Sequence, residues 1–133
     1  MEIMTPPLPT ADNIEALART AIAGLPPAFR DPLREVVLKV EEFAAPEVLD
    51  GLGIASPYGL LGLYSGISIN HKSVWQTPRS PDMILLYRRP ILDFWARGSE
   101  SLARIIRHVV IHEAGHHFGF SDADMAAIER DGG

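Results

Sequence analysis

The chain has 133 residues, which is enough for one domain with one modest hydrophobic core. Its 17 acidic and 12 basic side chains give a net charge of −5 without any basic run, which excludes the charge pattern of a nucleic-acid-binding protein. The chain contains no cysteine, so disulfides and thiolate metal ligands are excluded.

Targeting and membrane segments are not indicated by the sequence. The N-terminus "MEIMTPPLPT" has neither the basic nor the apolar region of a signal peptide. No stretch approaches the roughly 20 apolar residues that span a bilayer. We therefore expect a cytoplasmic protein with no membrane partner.

The N-terminal region predicts a tail followed by an amphipathic helix. Three prolines within residues 1–9 indicate a flexible tail, and residues 10–133 are expected to form a single domain. Apolar residues recur with helical spacing over residues 11–23. Thr10 is the predicted N-cap of this helix and Gly24 its stop.

The next region predicts a strand and a short helix. The prolines in residues 25–32 are expected to break regular structure. Residues 34–43 are rich in β-branched side chains and are interrupted by polar ones, which is typical of a strand with one partly wet face. Pro46 suits the first position of a short helix that ends at Gly51 or Gly53.

Two further strands are predicted in the middle of the chain. Residues 60–69 read as the second strand, and its two glycines indicate a bulge or a close backbone approach. Residues 70–81 are polar and proline-rich, so they read as a loop. Residues 82–89 form the predicted third strand, which Pro90 would end, and residues 91–96 are expected to form one helical turn.

The C-terminal region predicts a long helix and a short one. "GSESLARIIRHVVIHEAGHHFG" has a clear apolar face, with Ser99 or Ser101 as its cap and Gly119 as its stop. "SDADMAAIER" begins with a capping pattern and predicts a final short helix. The order of one helix, three strands and then helices predicts an α+β fold.

The long helix carries a pattern suited to metal chemistry. His112 and His116 are four residues apart, so both imidazoles project from one helix face and can chelate one divalent ion. Imidazole suits zinc, and Glu113 is placed to accept a proton from water at an open coordination position. This is the H-E-x-x-H pattern of metal-assisted hydrolysis.

The pattern extends beyond the helix as H-E-x-x-H-x-x-G-x-x-D. At this chain's own residue frequencies, the extended pattern arises by chance in roughly one case in ten thousand or fewer. Glycine can adopt positive φ, so Gly119 can reverse the chain and bring Asp122 back as a third ligand. Asp124 is the rival carboxylate, although its spacing also fits a cap opposite Ser121.

"HEAGHHFGFSD" resembles the Asp-zincins, which are zinc peptidases with this extended motif. "RHVVIHEAGHHFGFSDADM", with "DMILLYRRPIL" upstream, is more closely similar to a small bacterial family of minimal zincins. The close resemblance covers residues 82–128. It implies a zincin-like fold in which a small mixed sheet of three to four strands packs against an active-site helix and an N-terminal helix, followed by a short C-terminal helix.

The resemblance also implies roles for individual residues. One catalytic zinc ion would be held by His112, His116 and Asp122, and Glu113 would be the general base. His108 lies one turn earlier and drifts around the helix, so it is interpreted as a packed or hydrogen-bonded bystander. His117 is interpreted as polar surface or as support for the site.

The expected partner is a peptide or protein substrate. Zincins bind extended substrates along an edge strand, and the strand at residues 82–88 is the predicted edge. A rival hypothesis is a metal-binding or interaction domain that keeps the zincin scaffold without proteolysis. A third is a structural domain in which the motif is coincidental.

Overall fold

The computed structural model describes residues 7–66 and 82–131. The first six residues of the predicted tail, residues 67–69 at the end of the predicted second strand and the predicted loop at residues 70–81 lie outside the described residues. In chain order the helices and strands are α1 (Ala11–Ala23), α2 (Pro27–Arg30), β1 (Val37–Glu41), α3 (Pro46–Leu52), β2 (Gly62–Ser65), β3 (Met83–Tyr87), α4 (Arg88–Arg97), α5 (Leu102–Phe118) and α6 (Asp122–Asp131).

The predicted helix ends are confirmed by their capping interactions. The Thr10 hydroxyl accepts a hydrogen bond from the Asn13 N–H, and the Asn13 side chain accepts one from the Thr10 N–H. This reciprocal pair satisfies two donors that a helix start leaves open. At the end of α3 it is Gly53, not Gly51, that adopts the left-handed conformation and stops the helix.

The three strands form one mixed sheet in the order β1-β3-β2. β1 runs parallel to β3, with Val37 opposite Met83, whereas β2 runs antiparallel to β3, with Gly62 opposite Leu86. The α+β fold predicted from the sequence is confirmed.

The prediction that residues 82–88 form an edge strand is wrong. β3 pairs with a strand on each side, so it is the central strand of the described sheet, and β1 and β2 are its edges. The reason is its composition, since "MILLY" is apolar on both faces. Ile84 and Leu86 enter the main core while Leu85 and Tyr87 face a second apolar cluster. A strand buried on both faces is typical of the middle of a sheet.

The predicted boundary at Pro90 is also wrong. Arg88 and Arg89 do not continue β3, because α4 begins at Arg88 and runs for ten residues instead of the single turn expected. Pro90 lies in the first turn of α4, where backbone N–H groups have no partner within the helix. A proline there is compatible with a helix, so it does not mark the end of a strand.

Two smaller boundaries differ from expectation. Residues 25–32 include the short helix α2, and a 3-10 turn at Asp31–Glu35 follows it directly. β1 is consequently shorter than the predicted strand at residues 34–43. Prolines at the starts of both short segments preset helical φ values, so they promote these turns.

The main core lies between one face of the sheet and the helices α1 and α5. α1 packs on β1 and on α5, while α5 also packs on β2 and β3. Gly62 allows a close approach between β2 and α5, because a Cβ there would lie 2.5 Å from Val109 Cγ1. The close approach predicted for this strand's glycines is confirmed at this position, and it brings β2 directly beside the long helix.

Among the described residues, no helix combines the length and the apolar character that crossing a membrane would need.

Candidate metal centre

The long helix α5 is the rigid base of the candidate centre. Its start is capped by the Ser101 hydroxyl, which accepts a hydrogen bond from the Arg104 N–H. Its end is formed by Gly119, whose φ of 83° is left-handed, and the Phe120 N–H then donates to the Gly115 carbonyl. Gly119 thus reverses the chain as predicted, and α6 begins three residues later.

At this turn the structure places His116 beside Asp122, whereas the ligand atoms of His112, His116 and Asp122 do not all lie within 4.8 Å of one another. The His112 and His116 rings have centroids 6.0 Å apart and are nearly perpendicular. The His116 Nε2 lies 3.4 Å from the Asp122 Oδ1. Two ligands of a tetrahedral zinc, with bonds of about 2.0–2.1 Å, lie roughly 3.3 Å apart. The His116–Asp122 spacing fits one edge of such a tetrahedron, and the assignment of all three as ligands stays a prediction.

The two carboxylates near the start of α6 have different surroundings. The Asp124 Oδ2 accepts a hydrogen bond from the Ser121 N–H at 3.2 Å, and the Ser121 hydroxyl accepts one from the Asp124 N–H at 3.1 Å. Asp124 is therefore engaged in the cap expected from its spacing. Asp122 is 90% exposed and lies beside His116, which leaves its carboxylate available for an ion.

Glu113 is held between the helix and the sheet. Its carboxylate accepts a hydrogen bond from the Tyr64 backbone N–H of β2. Burial raises the pKa of the Glu113 carboxyl, while this hydrogen bond and the nearby His116 act to lower it. A carboxylate with a raised pKa is a better proton acceptor, which is the property that a general base requires.

Burial and the adjacent His108 lower the pKa of the His112 imidazole, whereas the Glu129 and Asp122 carboxylates act to raise it. The net lowering favours the neutral imidazole. A metal ligand must be in this form, since a protonated ring has no free lone pair.

Behind the candidate centre, His117 is part of an aromatic and acidic group. Its ring stacks on Tyr64 with centroids 3.8 Å apart, and its side chain is only 10% exposed. The Tyr64 hydroxyl donates to the Asp82 Oδ2 at 3.0 Å, and the His117 Nε2 lies 3.8 Å from the same oxygen. His117 is thus not polar surface. It joins the end of α5 to the strand whose Tyr64 N–H holds Glu113.

Two residues without an assigned metal role lie against His112. The His108 and His112 rings have centroids only 4.0 Å apart, and the Glu129 Oε1 is 2.6 Å from His108 Nδ1 and 3.5 Å from His112 Nε2. The repeated four-residue spacing was a sequence signal for His108. Glu129 lies seven residues after Asp122, two helical turns along α6, but no motif singled it out.

A cavity of about 630 Å³ opens beside this helix face. His112, Glu113 and Glu129 line it on the helical side, and the segment Gly59–Gly62 and Phe94 line it opposite. This volume is within the range of small-molecule and peptide side-chain sites. The candidate general base therefore faces a space that a substrate can enter.

The edge of the sheet beside this cavity is β2. The Tyr87 N–H donates to the Leu61 carbonyl, so residue 61 forms a hydrogen-bonded pair across the antiparallel ladder. Such pairs alternate along the ladder, so the main-chain groups of Gly62 and Tyr64 point away from β3. The outward direction of Tyr64 agrees with its hydrogen bond to Glu113.

The comparison with protein families matches the zincin-like metallopeptidase family over residues 33–132. The chain belongs to this family. The match covers most of the chain, including the sheet, α5 and α6. A comparison with curated proteins found no match.

Proposed function

We propose that the protein is a zinc-dependent peptidase in which His112, His116 and Asp122 hold one zinc ion and Glu113 is the general base. The observation that carries the proposal is the placement of Glu113. Its carboxylate lies at the cavity wall, fixed by the Tyr64 N–H and close to His116, which itself lies beside Asp122. Glu113 and His112 line the open space, and the His116 ring lies 6.0 Å from the His112 ring, centroid to centroid.

Each residue has a defined part in the chemistry. When bound, zinc would supply Lewis acidity and lower the pKa of water toward neutrality. Glu113 accepts a proton from the water that attacks the peptide carbonyl carbon, and then gives that proton to the leaving amine nitrogen as the C–N bond breaks. The Tyr64 N–H holds the carboxylate in the orientation that both transfers need.

The substrate is proposed to lie along β2. This strand is an edge of the described sheet, and Gly62 directs main-chain groups outward while also lining the cavity. An extended peptide can pair with such an edge through main-chain hydrogen bonds. This pairing would carry its scissile bond past Glu113 and its side chains into the cavity.

The test compares Glu113→Gln with the wild type on a broad peptide library. The amide keeps the size of the side chain but cannot accept the proton, so we expect zinc binding to persist and hydrolysis to fall by about 10²–10⁴-fold. Glu47→Gln, which changes an exposed acid in α3, is the matched control and keeps full activity.

The rival function is a metal-binding or interaction domain without proteolysis. It would be favoured if the wild type bound one zinc ion but cleaved no peptide in the library. Equal cleavage by wild type and Glu113→Gln would contradict the proposed base. A protein that bound no zinc even after zinc was added would reject both metal-dependent functions.

A further inference from the structure

His108, His112 and Glu129 form a cluster that the proposed peptidase site does not use. Their candidate ligand atoms all lie within 4.8 Å of one another. Among the described residues, this is the group of histidine and acidic side chains that lie close enough together to hold a metal ion. The two histidines repeat the four-residue spacing of His112 and His116 one turn earlier on α5. The same helix therefore presents two overlapping chelating pairs that share His112.

The Glu129 carboxylate is oriented toward these two histidines. Its Oε1 is buried and accepts no hydrogen bond of good geometry from the described residues, although two imidazole nitrogens lie at 2.6 and 3.5 Å. A buried carboxylate oxygen without hydrogen bonds costs stability unless a positive charge compensates it. A cation between the carboxylate and the imidazoles would supply that charge.

The position of Glu129 is fixed by a neighbouring residue. Arg107 on α5 donates from Nη1 to the Glu129 carbonyl at 2.9 Å and from Nη2 to the Ile128 carbonyl at 2.7 Å. These carbonyls belong to the last turns of α6, where cationic side chains stabilise the helix end. The carboxylate therefore stands beside the histidines before any ligand arrives.

The spacing is near that of a transition-metal site. Ligand atoms on a tetrahedral zinc lie roughly 3.3 Å apart. His112 Nε2 and Glu129 Oε1, at 3.5 Å, already meet this spacing. No separation exceeds 4.8 Å, so the widest must close by no more than about 1.5 Å, while the 2.6 Å between His108 Nδ1 and Glu129 Oε1 must open; small rotations of the half-exposed His108 can provide both changes. Two imidazoles and one carboxylate suit zinc and similar divalent ions better than magnesium or calcium.

We propose that His108, His112 and Glu129 form a second site for a divalent transition metal, and that this site shares His112 with the H-E-x-x-H site. Occupancy of the two sites is mutually exclusive, because His112 cannot serve both triads at once. The exclusivity rests on the proposed function, which assigns His112 to the catalytic zinc, whereas the second triad itself does not depend on that assignment.

On an ideal helix, a metal in the second site lies further from Glu113 than a metal in the H-E-x-x-H site. Around an α-helix, Glu113 is about 60° from His116 but about 140° from His108. The centre of the second histidine pair is also about 6 Å further toward the start of α5. Metal at the second site would therefore remove His112 from the proposed catalytic triad and lie further from Glu113, which makes it an inactive metal position.

The test removes the predicted catalytic ligands and asks whether zinc still binds. The full chain is stripped with a chelator, and zinc affinity and stoichiometry are measured by competition with a chromogenic indicator for His116→Asn/Asp122→Asn. We expect one zinc ion per chain. Adding His108→Asn or Glu129→Gln should weaken zinc binding by more than about 100-fold, since loss of a supporting hydrogen bond alone costs roughly 10- to 100-fold.

Glu100→Gln in the same background is the matched control and leaves the affinity unchanged. Glu100 lines the same cavity but does not belong to the cluster. Far-ultraviolet circular dichroism establishes that each variant is folded, and cobalt absorption spectra report the change in ligand number independently of affinity.

Three outcomes would overturn the proposal. His116→Asn/Asp122→Asn could bind no zinc while the wild type binds it, which would reject the second site and leave the proposed peptidase site intact. The zinc affinity of that variant could be unchanged by His108→Asn and Glu129→Gln, which would show that its metal binds elsewhere. The wild type could bind two zinc ions together, which would contradict the sharing of His112.

Discussion

Gly115 and Met125 are in such close contact that a Cβ on Gly115 would overlap the Met125 Sδ and lie 2.9 Å from its Cγ. Gly115 lies inside the H-E-x-x-H motif, and the Met125 side chain is fully buried. α6 is therefore docked directly behind the residues that carry the two predicted histidine ligands. Packing in the core and the placement of the acidic residues of α6 depend on the same contact.

Gly115→Ala is expected to destabilise the fold. The added methyl group forces Met125 or α6 to move, and such overpacking costs about 1–3 kcal/mol of the free energy of unfolding. The displacement of α6 should also weaken zinc binding, since Asp122 and Glu129 both belong to this helix. Chemical denaturation and zinc titration measure the two effects.

A double-mutant cycle with Met125→Ala distinguishes the effect of the Gly115–Met125 contact from a general loss of stability. Met125→Ala alone leaves a cavity and costs about 2–5 kcal/mol. If the two side chains compete for one space, the double variant should be more stable than the sum of the single changes predicts, by about 0.5–3 kcal/mol. Strict additivity would show that the methyl group on Gly115 is accommodated without Met125.

Gly119→Ala tests the turn that brings Asp122 toward the histidines. The φ of 83° at Gly119 is left-handed, so an alanine there should cost about 1–2 kcal/mol although no atom lies within 4 Å of the added Cβ. Gly51→Ala, inside α3 and equally free of neighbours, should instead stabilise the protein by about 0.5–1 kcal/mol. If both variants were destabilised equally, the left-handed φ of Gly119 would not be the cause of the loss in Gly119→Ala.

Zinc should raise the melting temperature of the metal-free protein through binding to the folded state. At a free zinc concentration 100 times Kd, the expected stabilisation is about 2.7 kcal/mol. Asp122→Asn should reduce this zinc-dependent increase, because it removes the charge of the proposed third ligand. Differential scanning calorimetry with and without zinc measures the change.

Asp124→Asn is the matched control for that experiment. It weakens the cap of α6 and should lower the melting temperature of the metal-free protein, yet keep the increase caused by zinc. The reverse pattern, with the zinc response lost only in Asp124→Asn, would identify Asp124 as the ligand in place of Asp122.

Alkaline pH should destabilise the fold through two tyrosines. Burial raises the pKa of Tyr64, assisted by the hydrogen bond and charge of Asp82, and burial also raises the pKa of Tyr87. The unfolded-state pKa of tyrosine is about 10. The stabilisation is fully present below that value and is lost as the pH rises toward the folded-state pKa, because the unfolded protein releases the protons first.

The tyrosine prediction is checked by denaturant unfolding between pH 8 and pH 11, a window set by the unfolded-state pKa of about 10. Tyr64→Phe should make the fall in stability with pH shallower, while Tyr58→Phe, which removes an exposed hydroxyl, serves as the control. If the slope is the same in the wild type and Tyr64→Phe, the hydroxyl of Tyr64 does not contribute to it.

The helices at the two ends of the chain were predictable because their signals are local. Thr10, Ser101 and Gly119 each act on groups within a few residues, so sequence spacing is sufficient to place them. The central position of β3 depends on pairing between Val37 and Met83, which are far apart in the sequence. The continuous apolar run of β3 is typical of a central strand, but the two arginines and the proline that follow it indicated an edge strand.

The same distinction applies to the candidate site. The spacing of His112, Glu113 and His116 on one helix was readable from the sequence. The hydrogen bond from Tyr64 to Glu113 and the approach of Glu129 to His108 were not, because both join separate elements. These tertiary contacts hold the proposed base and define the second cluster.

The order β1-β3-β2 has a consequence for folding during synthesis. The strand that pairs with both others is the last of the three in the sequence, and β1 and β2 do not pair with each other in the described sheet. At synthesis rates of about 5–20 residues per second, the first two strands leave the ribosome seconds before their shared partner. The described sheet therefore assembles only after β3 emerges, and until then the apolar faces of β1 and β2 depend on other parts of the nascent chain or on chaperones for cover.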